Sequence, residues 1–247
     1  MSLDLNKVWN MNCLEYMKTI PDNSVQFIVA DPPYLISDKK DTFHLGDGNL
    51  SKYKLVQGDW DLVDHEIIYE CIPEFKRILK RGGSLILWYD WRKIGDVANA
   101  LEEQVLKQIR LNQWVKNNPP PIGSSNSYLP NSKEYFLYCA KNTSYKKQWI
   151  KAPFNSKYDN GVYTHSIAGK ARTHPTEKPY TLMEEIILKH TNKGDTVYIP
   201  FGGSGVDVEV CIKNELNYLC TELDTNYYNN IVKKIATIVA KRGENEQ

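Results

Sequence analysis

The order of apolar and polar positions along this chain of 247 residues predicts strands that alternate with helices. Short apolar runs bounded by glycine, proline or polar residues are typical of buried strands. Such runs predict strands at residues 25–30, 84–89, 108–115, 134–140, 196–199 and 217–221. Apolar residues at helical spacing predict helices through Ile68, Ile72, Phe75 and Leu79, from Ile94 to Val105, from Pro179 through Ile187, after Gly205, and from about Thr225. We expect Pro73 to kink or divide the first helix and Gly82-Gly83 to stop it.

Alternation of this kind predicts a three-layer α/β domain, with a sheet between two layers of helices. The sequence has no internal repeat, so residues 1–247 are predicted to form one domain. Two segments lack periodicity. Residues 35–60 contain three glycines and are predicted to be a mobile, functional loop, and residues 142–172 are predicted to be an insertion.

Composition narrows the class of protein. No apolar run approaches the roughly 20 residues that span a bilayer, and the amino terminus carries no apolar segment of signal-peptide length. The five cysteines are scattered and form no Cys-x-x-Cys pair. We therefore expect buried thiols in a reducing cytoplasm, no membrane association and no metal centre.

Positive charge is concentrated in one segment, although the net charge of the chain is only +1. Residues 141–178 carry seven Lys and one Arg against two acidic residues, with aromatic residues interleaved. Such a segment suits DNA, because cations neutralise phosphates and aromatic rings stack on bases. Candidate contacts to phosphates or guanine edges are Lys157, Lys170 and Arg172. A solvated, loop-rich insertion is the alternative interpretation.

The predicted strand at 25–30 leads directly into Asp31-Pro32-Pro33-Tyr34. In open α/β sheets, ligands bind at the carboxyl ends of the strands. A carboxylate and a carbonyl oxygen beside an aromatic ring suit a nucleobase that has left its duplex and whose exocyclic amine reacts. A tight turn in which the prolines merely stop the strand is the alternative.

A second loop, Pro200-Phe201-Gly202-Gly203-Ser204-Gly205, joins the predicted strand at 196–199 to a helix. Glycines at such a turn let a ligand approach the backbone, and the amino terminus of the helix offers unpaired N–H groups. Glu222 ends the next predicted strand, where an acidic residue is placed to accept hydrogen bonds from ribose hydroxyls. A structural turn is the alternative here.

Together these segments resemble the beta class of DNA amino-methyltransferases, which use S-adenosylmethionine and carry the catalytic motif before the cofactor motif. The likeness extends from residue 12 to residue 228. Further matches are Asn23-Ser24-Val25, Leu79 to Gly83, Trp114 to Pro119, His174 to Pro179, and Glu222-Leu223-Asp224 with Tyr227-Tyr228. The resemblance implies a Rossmann-like methyltransferase sheet, mostly parallel with an antiparallel edge strand, in a circularly permuted motif order.

The resemblance also implies roles for individual residues. The catalytic loop is Asp31, Pro32, Pro33 and Tyr34, in which Asp31 and the Pro32 carbonyl accept N–H groups from a flipped base stacked on Tyr34. The implied cofactor residues are Thr176, Lys178, Phe201, Gly202, Gly203, Ser204, Gly205, Glu222 and Asp224. This motif order favours DNA over RNA or protein substrates, and Asp31 in place of Ser favours adenine over cytosine.

The sequence departs from the family pattern at three positions. Ile199 and Asn12 stand where the family commonly has Asp, and Val206 stands where it has Thr. Two alternatives therefore stay open beside an adenine-specific enzyme: a cytosine-amine methyltransferase, and an inactive nucleic-acid-binding relative. The expected partners are double-stranded DNA and S-adenosylmethionine. The resemblance leans further toward a homodimer and a cognate restriction endonuclease, for which no residue can be cited.

Overall fold

The computed structural model describes residues 3–33, 67–119, 131–141, 143–145, 148–150, 159–167 and 177–245. Strands and helices alternate over much of these ranges. In chain order the elements are β1 (Lys7–Trp9), α1 (Cys13–Met17), β2 (Val25–Ala30), α2 (Ile67–Ile78), β3 (Leu79–Tyr89), α3 (Ile94–Glu103), β4 (Lys107–Lys116), β5 (Lys133–Ala140), β6 (Thr143–Tyr145), β7 (Gln148–Ile150), β8 (Val162–His165), α4 (Tyr180–His190), β9 (Thr196–Ile199), α5 (Val206–Lys213), β10 (Asn217–Thr221) and α6 (Thr225–Asn245). The predicted loop at 35–60 lies outside the described residues.

Eight strands of the described ranges form one sheet, in the order β1-β10-β9-β2-β3-β5-β4-β8. Neighbouring strands run parallel, except where β5 pairs with β3 and with β4. The mostly parallel α/β sheet is thus confirmed. Its antiparallel strand was expected at the edge, and this position is wrong, because β4 and β8 add to the sheet beyond β5.

Part of the predicted insertion at 142–172 belongs to this sheet. β8 pairs in parallel with β4, and Tyr163 within β8 is buried. β6 and β7 form a separate antiparallel hairpin. The segment therefore contributes an edge strand as well as a hairpin.

Both faces of the sheet are covered by helices, which gives the three predicted layers. In β2, Ile28 and Ala30 pack on the face covered by α1, α2 and α3. Phe27 and Val29, which alternate with them, pack on the face covered by α4, α5 and α6. Burial on both faces explains why this strand is a continuous apolar run in the sequence.

Gly82 and Gly83 do not end a helix, so that expectation is wrong. α2 ends at Ile78 as one helix with Pro73 inside it, and the chain passes directly into β3. The two glycines lie in β3 where its register against β2 shifts. A Cβ on Gly83 would lie 2.8 Å from the carbonyl oxygen of Gln26. Glycine is needed because the two backbones approach closely at this irregularity.

Within the described ranges, none of the helices combines the length and the apolar character needed to cross a membrane.

Candidate active site

The loops led by Asp31 and Gly203 leave the sheet side by side. β2 and β9 are adjacent parallel strands, with Phe27 opposite Val197 and Ile28 opposite Tyr198. Parallel strands paired in this register end at the same edge of the sheet. The segments that follow Ala30 and Ile199 are therefore neighbours in space, although they are about 170 residues apart in sequence.

A cavity of about 570 Å³ lies between these two loops. Its size falls within the range of roughly 300–1,000 Å³ that is usual for small-molecule and cofactor sites. Residues from both loops, from the segment before α4 and from the end of β10 form its wall. The residues selected from the sequence that line it are Asp31, Pro32, Pro33, Lys178, Phe201, Gly202, Gly203, Ser204, Glu222 and Asp224.

A row of alternating charges holds Asp31 in place. The buried Lys178 ammonium donates to Asp31 Oδ2 at 2.7 Å, and its Nζ lies 3.3 Å from Glu134 Oε2. Glu134 Oε1 in turn lies 2.8 Å from Lys116 Nζ. Burial by itself would raise the pKa of Glu134, but Lys178 and Lys116 outweigh it and hold that pKa below its usual value. The row keeps Glu134 ionised and anchors Asp31 from behind.

Glu222 ties the glycine loop to the end of β10. Its Oε2 accepts the Gly203 N–H at 2.7 Å and its Oε1 accepts the Asp224 N–H at 2.8 Å. Burial raises the pKa of Glu222, while these N–H groups partly counteract it. The Asp224 side chain caps α6, because its Oδ1 accepts the N–H groups of Asn226 and Tyr227.

Three glycines shape the loop in different ways. A Cβ on Gly202 would lie 2.7 Å from Ile231 Cδ1, and one on Gly205, whose φ is +73°, would lie 3.0 Å from Ile231 Cγ1. These two positions therefore let the loop pack against α6. Gly205 is the N-cap of α5 and is not part of the cavity wall. Gly203 has a φ of +49° and no atom within 4 Å of the place of a Cβ, so it leaves open space.

Five residues selected from the sequence lie outside the described residues. They are Tyr34, Lys157, Lys170, Arg172 and Thr176. Their roles in stacking, DNA contact and cofactor binding stay predictions.

The connection between β1 and α1 contributes part of the cavity wall, of which the resemblance indicated Asn12 but not Met11. Met11, Asn12 and Cys13 line the cavity. Asn12 Oδ1 accepts the N–H of Leu14 at 2.8 Å and so caps α1. The Asn10 amide donates to the carbonyl groups that follow β10. An Asn before a short apolar run was a usable N-cap signal in the sequence.

Asp207 is a second residue that the motifs did not indicate. It is the second residue of α5, is 7% exposed and lines the cavity. Burial, followed by the neighbouring Asp31 charge, raises the pKa of Asp207 to about 7. An acidic residue directly behind the glycine loop, between Val206 and Val208, was the signal available for it.

Two of the three departures from the family pattern are packing positions. Ile199 is fully buried and Val206 nearly so, and both belong to the core on the face of α4, α5 and α6. Where the family commonly has polar groups, this chain has apolar contacts.

The remaining titratable groups of the described residues add no metal site. Within the described ranges, no group of three or more His, Cys, Asp or Glu side chains is placed to hold a metal ion. All five cysteines are buried thiols, as expected from the sequence, although Cys13 is not in an apolar pattern there.

The chain is similar to known proteins in sequence and in structure. The model of a family described as DNA methylase matches residues 25–234. The Type II methyltransferase M2.MboI of Moraxella bovis is 29% identical, over 89% of this chain and 84% of its own length. The Type II methyltransferase M2.DpnII of Streptococcus pneumoniae is 30% identical, over 77% of this chain and 75% of its own length.

Solved structures give the same result for the fold. A complex of M1.HpyAVI with SAM superposes with a TM-score of 0.66 at 27% identity, covering 92% of this chain and 98% of that one. The cytosine-N4-specific PvuII DNA methyltransferase superposes with a TM-score of 0.68 at 16% identity, covering 94% of this chain and 86% of that one. The second likeness concerns the fold alone.

Proposed function

The chain belongs to the DNA methylase family, whose model covers its residues 25–234, and from this membership we propose that it methylates the exocyclic amine of adenine in a specific DNA sequence. The single observation that supports this most is the shared cavity of the loops led by Asp31 and Gly203. The loop led by Asp31 suits an amine, and the loop led by Gly203 suits a nucleoside cofactor.

The residues of the cavity fit S-adenosylmethionine, the cofactor of this family, which supplies an electrophilic methyl group when bound. The open space at Gly203 permits close approach of a ligand to the backbone. Glu222 would accept the ribose hydroxyls, because each of its oxygens keeps a lone pair beyond its backbone hydrogen bond. Phe201 would contact the adenine ring region of the cofactor, with Ser204 and Lys178 nearer its methionine end.

Asp31 acts on the target amine in this proposal. An adenine amine is a weak nucleophile, because its lone pair is delocalised into the ring. Asp31 and the Pro32 carbonyl would accept its N–H groups and stabilise the positive charge that grows on the nitrogen during attack. Lys178 supports this role, since its 2.7 Å hydrogen bond fixes the carboxylate beforehand. The methylated nitrogen would then lose one proton to solvent and become neutral.

Access to a base in duplex DNA is proposed to occur by base flipping, with Tyr34 stacking on the extruded ring. Lys157, Lys170 and Arg172 are proposed to hold phosphates or to read guanine edges. Asp31 at the head of the catalytic loop favours adenine over cytosine. A cytoplasmic location, a homodimer and a cognate restriction endonuclease complete the proposal, the last because the relatives named above are Type II methyltransferases.

The proposal is tested by sequencing, with detection of modified bases, DNA from cells that express the chain. We expect N6-methyladenine at one recurring sequence. N4-methylcytosine at that sequence would instead establish the cytosine-amine enzyme. Absence of any modified base, with binding of DNA retained by the purified protein, would establish the inactive relative.

Two variants make the same experiment specific for the site. Asp31→Ala is expected to abolish the modification, because the amine then loses its charged acceptor. Asp22→Asn is the matched control, since Asp22 precedes β2 at the opposite end of the strand and pairs with Arg77 at 2.7 Å. Normal modification by Asp31→Ala would refute the role given to this carboxylate.

A further inference from the structure

Asp207 carries a buried oxygen that lacks a hydrogen-bond partner in the described part of the chain. Its Oδ1 is inaccessible to solvent and accepts no hydrogen bond there. The residue lines the cavity, at the first turn of α5. Buried polar atoms are normally paired, so an unpaired one at a cavity wall indicates a group that arrives with a ligand.

Three charged groups from three different parts of the fold surround Asp207. Asp31 follows β2, Lys178 precedes α4 and Lys234 belongs to α6. Asp31 disfavours a negative charge on Asp207, while the two lysines favour it. Cys211 on α5 and Cys220 on β10 also face this carboxyl group, and burial raises the pKa of both thiols, which keeps them neutral.

The two lysines are already engaged elsewhere. Lys178 Nζ lies 2.7 Å from Asp31 Oδ2 and 3.3 Å from Glu134 Oε2. Lys234 Nζ lies 3.6 Å from Glu209 Oε2 and 3.9 Å from Glu177 Oε1. Asp207 thus forms no ion pair of its own within the described residues. A cation or N–H donor that entered the cavity would supply one.

We propose that Asp207 is the acceptor for the positively charged α-amino group of S-adenosylmethionine, an assignment that rests on the proposed function. Its neighbours identify the end of the cofactor. The methyl donor must face the amine held by Asp31, so the sulfonium and its amino-acid chain occupy the side of the cavity near Asp31 and Lys178. Asp207 interacts with these two residues, whereas Glu222 serves the opposite, ribose side at the end of β10.

The proposed contact couples binding of the cofactor to the loss of a proton from Asp207. Burial raises the pKa of Asp207 to about 7, so a large fraction of the carboxyl groups is protonated near neutral pH. An incoming ammonium group favours the ionised form, and binding then releases a proton. The affinity for the cofactor should therefore rise between about pH 6 and about pH 7.5.

The test measures binding by calorimetry to three ligands that share the adenosine part. S-adenosylmethionine and S-adenosylhomocysteine carry the α-amino group, and 5′-methylthioadenosine lacks the whole amino-acid end. Asp207→Asn is expected to weaken the first two by about tenfold to a hundredfold, the effect of losing a buried charge-assisted hydrogen bond. Its affinity for 5′-methylthioadenosine should stay within about twofold of wild type, and the pH dependence should disappear.

Glu209→Gln is the matched control, because it removes a carboxylate from the same helix outside the cavity wall. It should bind all three ligands as wild type does. Unchanged binding of S-adenosylmethionine by Asp207→Asn overturns the assignment while the proposed function stands. Equal weakening for all three ligands also overturns it, since the role of Asp207 is then structural. Absence of binding to the wild-type protein refutes the proposed function and the assignment together.

Discussion

Replacement of Lys178 by methionine tests whether the row of charges behind Asp31 holds this edge of the sheet together. The ammonium group lies 2.7 Å from Asp31 and 3.3 Å from Glu134. Methionine keeps the length and the apolar stem of lysine, so the substitution removes mainly the charge. Of the two lysines in this row, Lys116 would remain, and it lies 2.8 Å from Glu134.

The expected loss of stability follows from burial. Removal of one partner from a buried ion pair destabilises a protein by about 3–5 kcal/mol. The Lys178 side chain is 4% exposed and that of Asp31 is 25% exposed. Water reaches Asp31, so the lower figure of about 3 kcal/mol applies. With a urea m-value of about 3 kcal/mol/M for a domain of this size, the unfolding midpoint should fall by about 1 M.

The loss should depend on pH. The pKa of Glu134 is lowered in the folded protein, so its stabilising contribution is complete above the unfolded value of about 4.3 and disappears as pH falls through the lowered folded value. In Lys178→Met, the carboxylates that lost their cation can take up a proton as the solution becomes acidic. The difference from wild type should therefore be smaller at about pH 3.5 than at about pH 7.5.

Urea unfolding followed by circular dichroism measures both quantities. Lys193→Met is the matched control, because its ion pair with Glu215 is exposed to solvent by 71% and 56%, so its removal should leave the unfolding midpoint close to that of wild type. A folded Lys178→Met protein within about 1 kcal/mol of wild type at neutral pH would refute the anchoring of Asp31 by this row.

Three further predictions concern the cavity and the core. Gly203→Ala should change the free energy of unfolding by at most about 2 kcal/mol but weaken cofactor binding in calorimetry, because its methyl group enters open space. Gly202→Ala should instead destabilise the protein by about 1–3 kcal/mol in urea unfolding, because its methyl group meets Ile231. The reverse pattern would contradict the loop geometry. Without cofactor, the free energy of unfolding should fall by up to about 4 kcal/mol as pH rises from about 4 to about 7, because the pKa of Asp207 is raised to about 7 on folding. Urea unfolding at several pH values measures this change, and the same pH dependence in Asp207→Asn would exclude Asp207 as its cause. All five cysteines should resist alkylation in the native protein, as judged by mass spectrometry, and rapid labelling of any one would disprove its burial.

Strands and loops with strong local signals could be predicted from the sequence. The apolar runs that became β2, β9 and β10 are buried on both faces, and a continuous run records such burial directly. The proline and glycine loops behind β2 and β9 were also visible in the sequence, because the backbone conformation there restricts which residues can occupy these positions. The resemblance to a methyltransferase family rested on these loops.

Pairing between distant residues was decided only by the tertiary structure. The position of Gly82 and Gly83 within β3, and not at the end of α2, depends on which strands become neighbours. The interior position of β5 in the sheet depends on the same pairing. The same holds for Lys178 and Asp207, because a charged residue in a sequence does not reveal which side chain will face it. Their partners come from β2, β5 and α6, elements that meet only when the sheet forms. Local sequence thus determined the elements and the loops, and long-range packing determined which charges share the cavity.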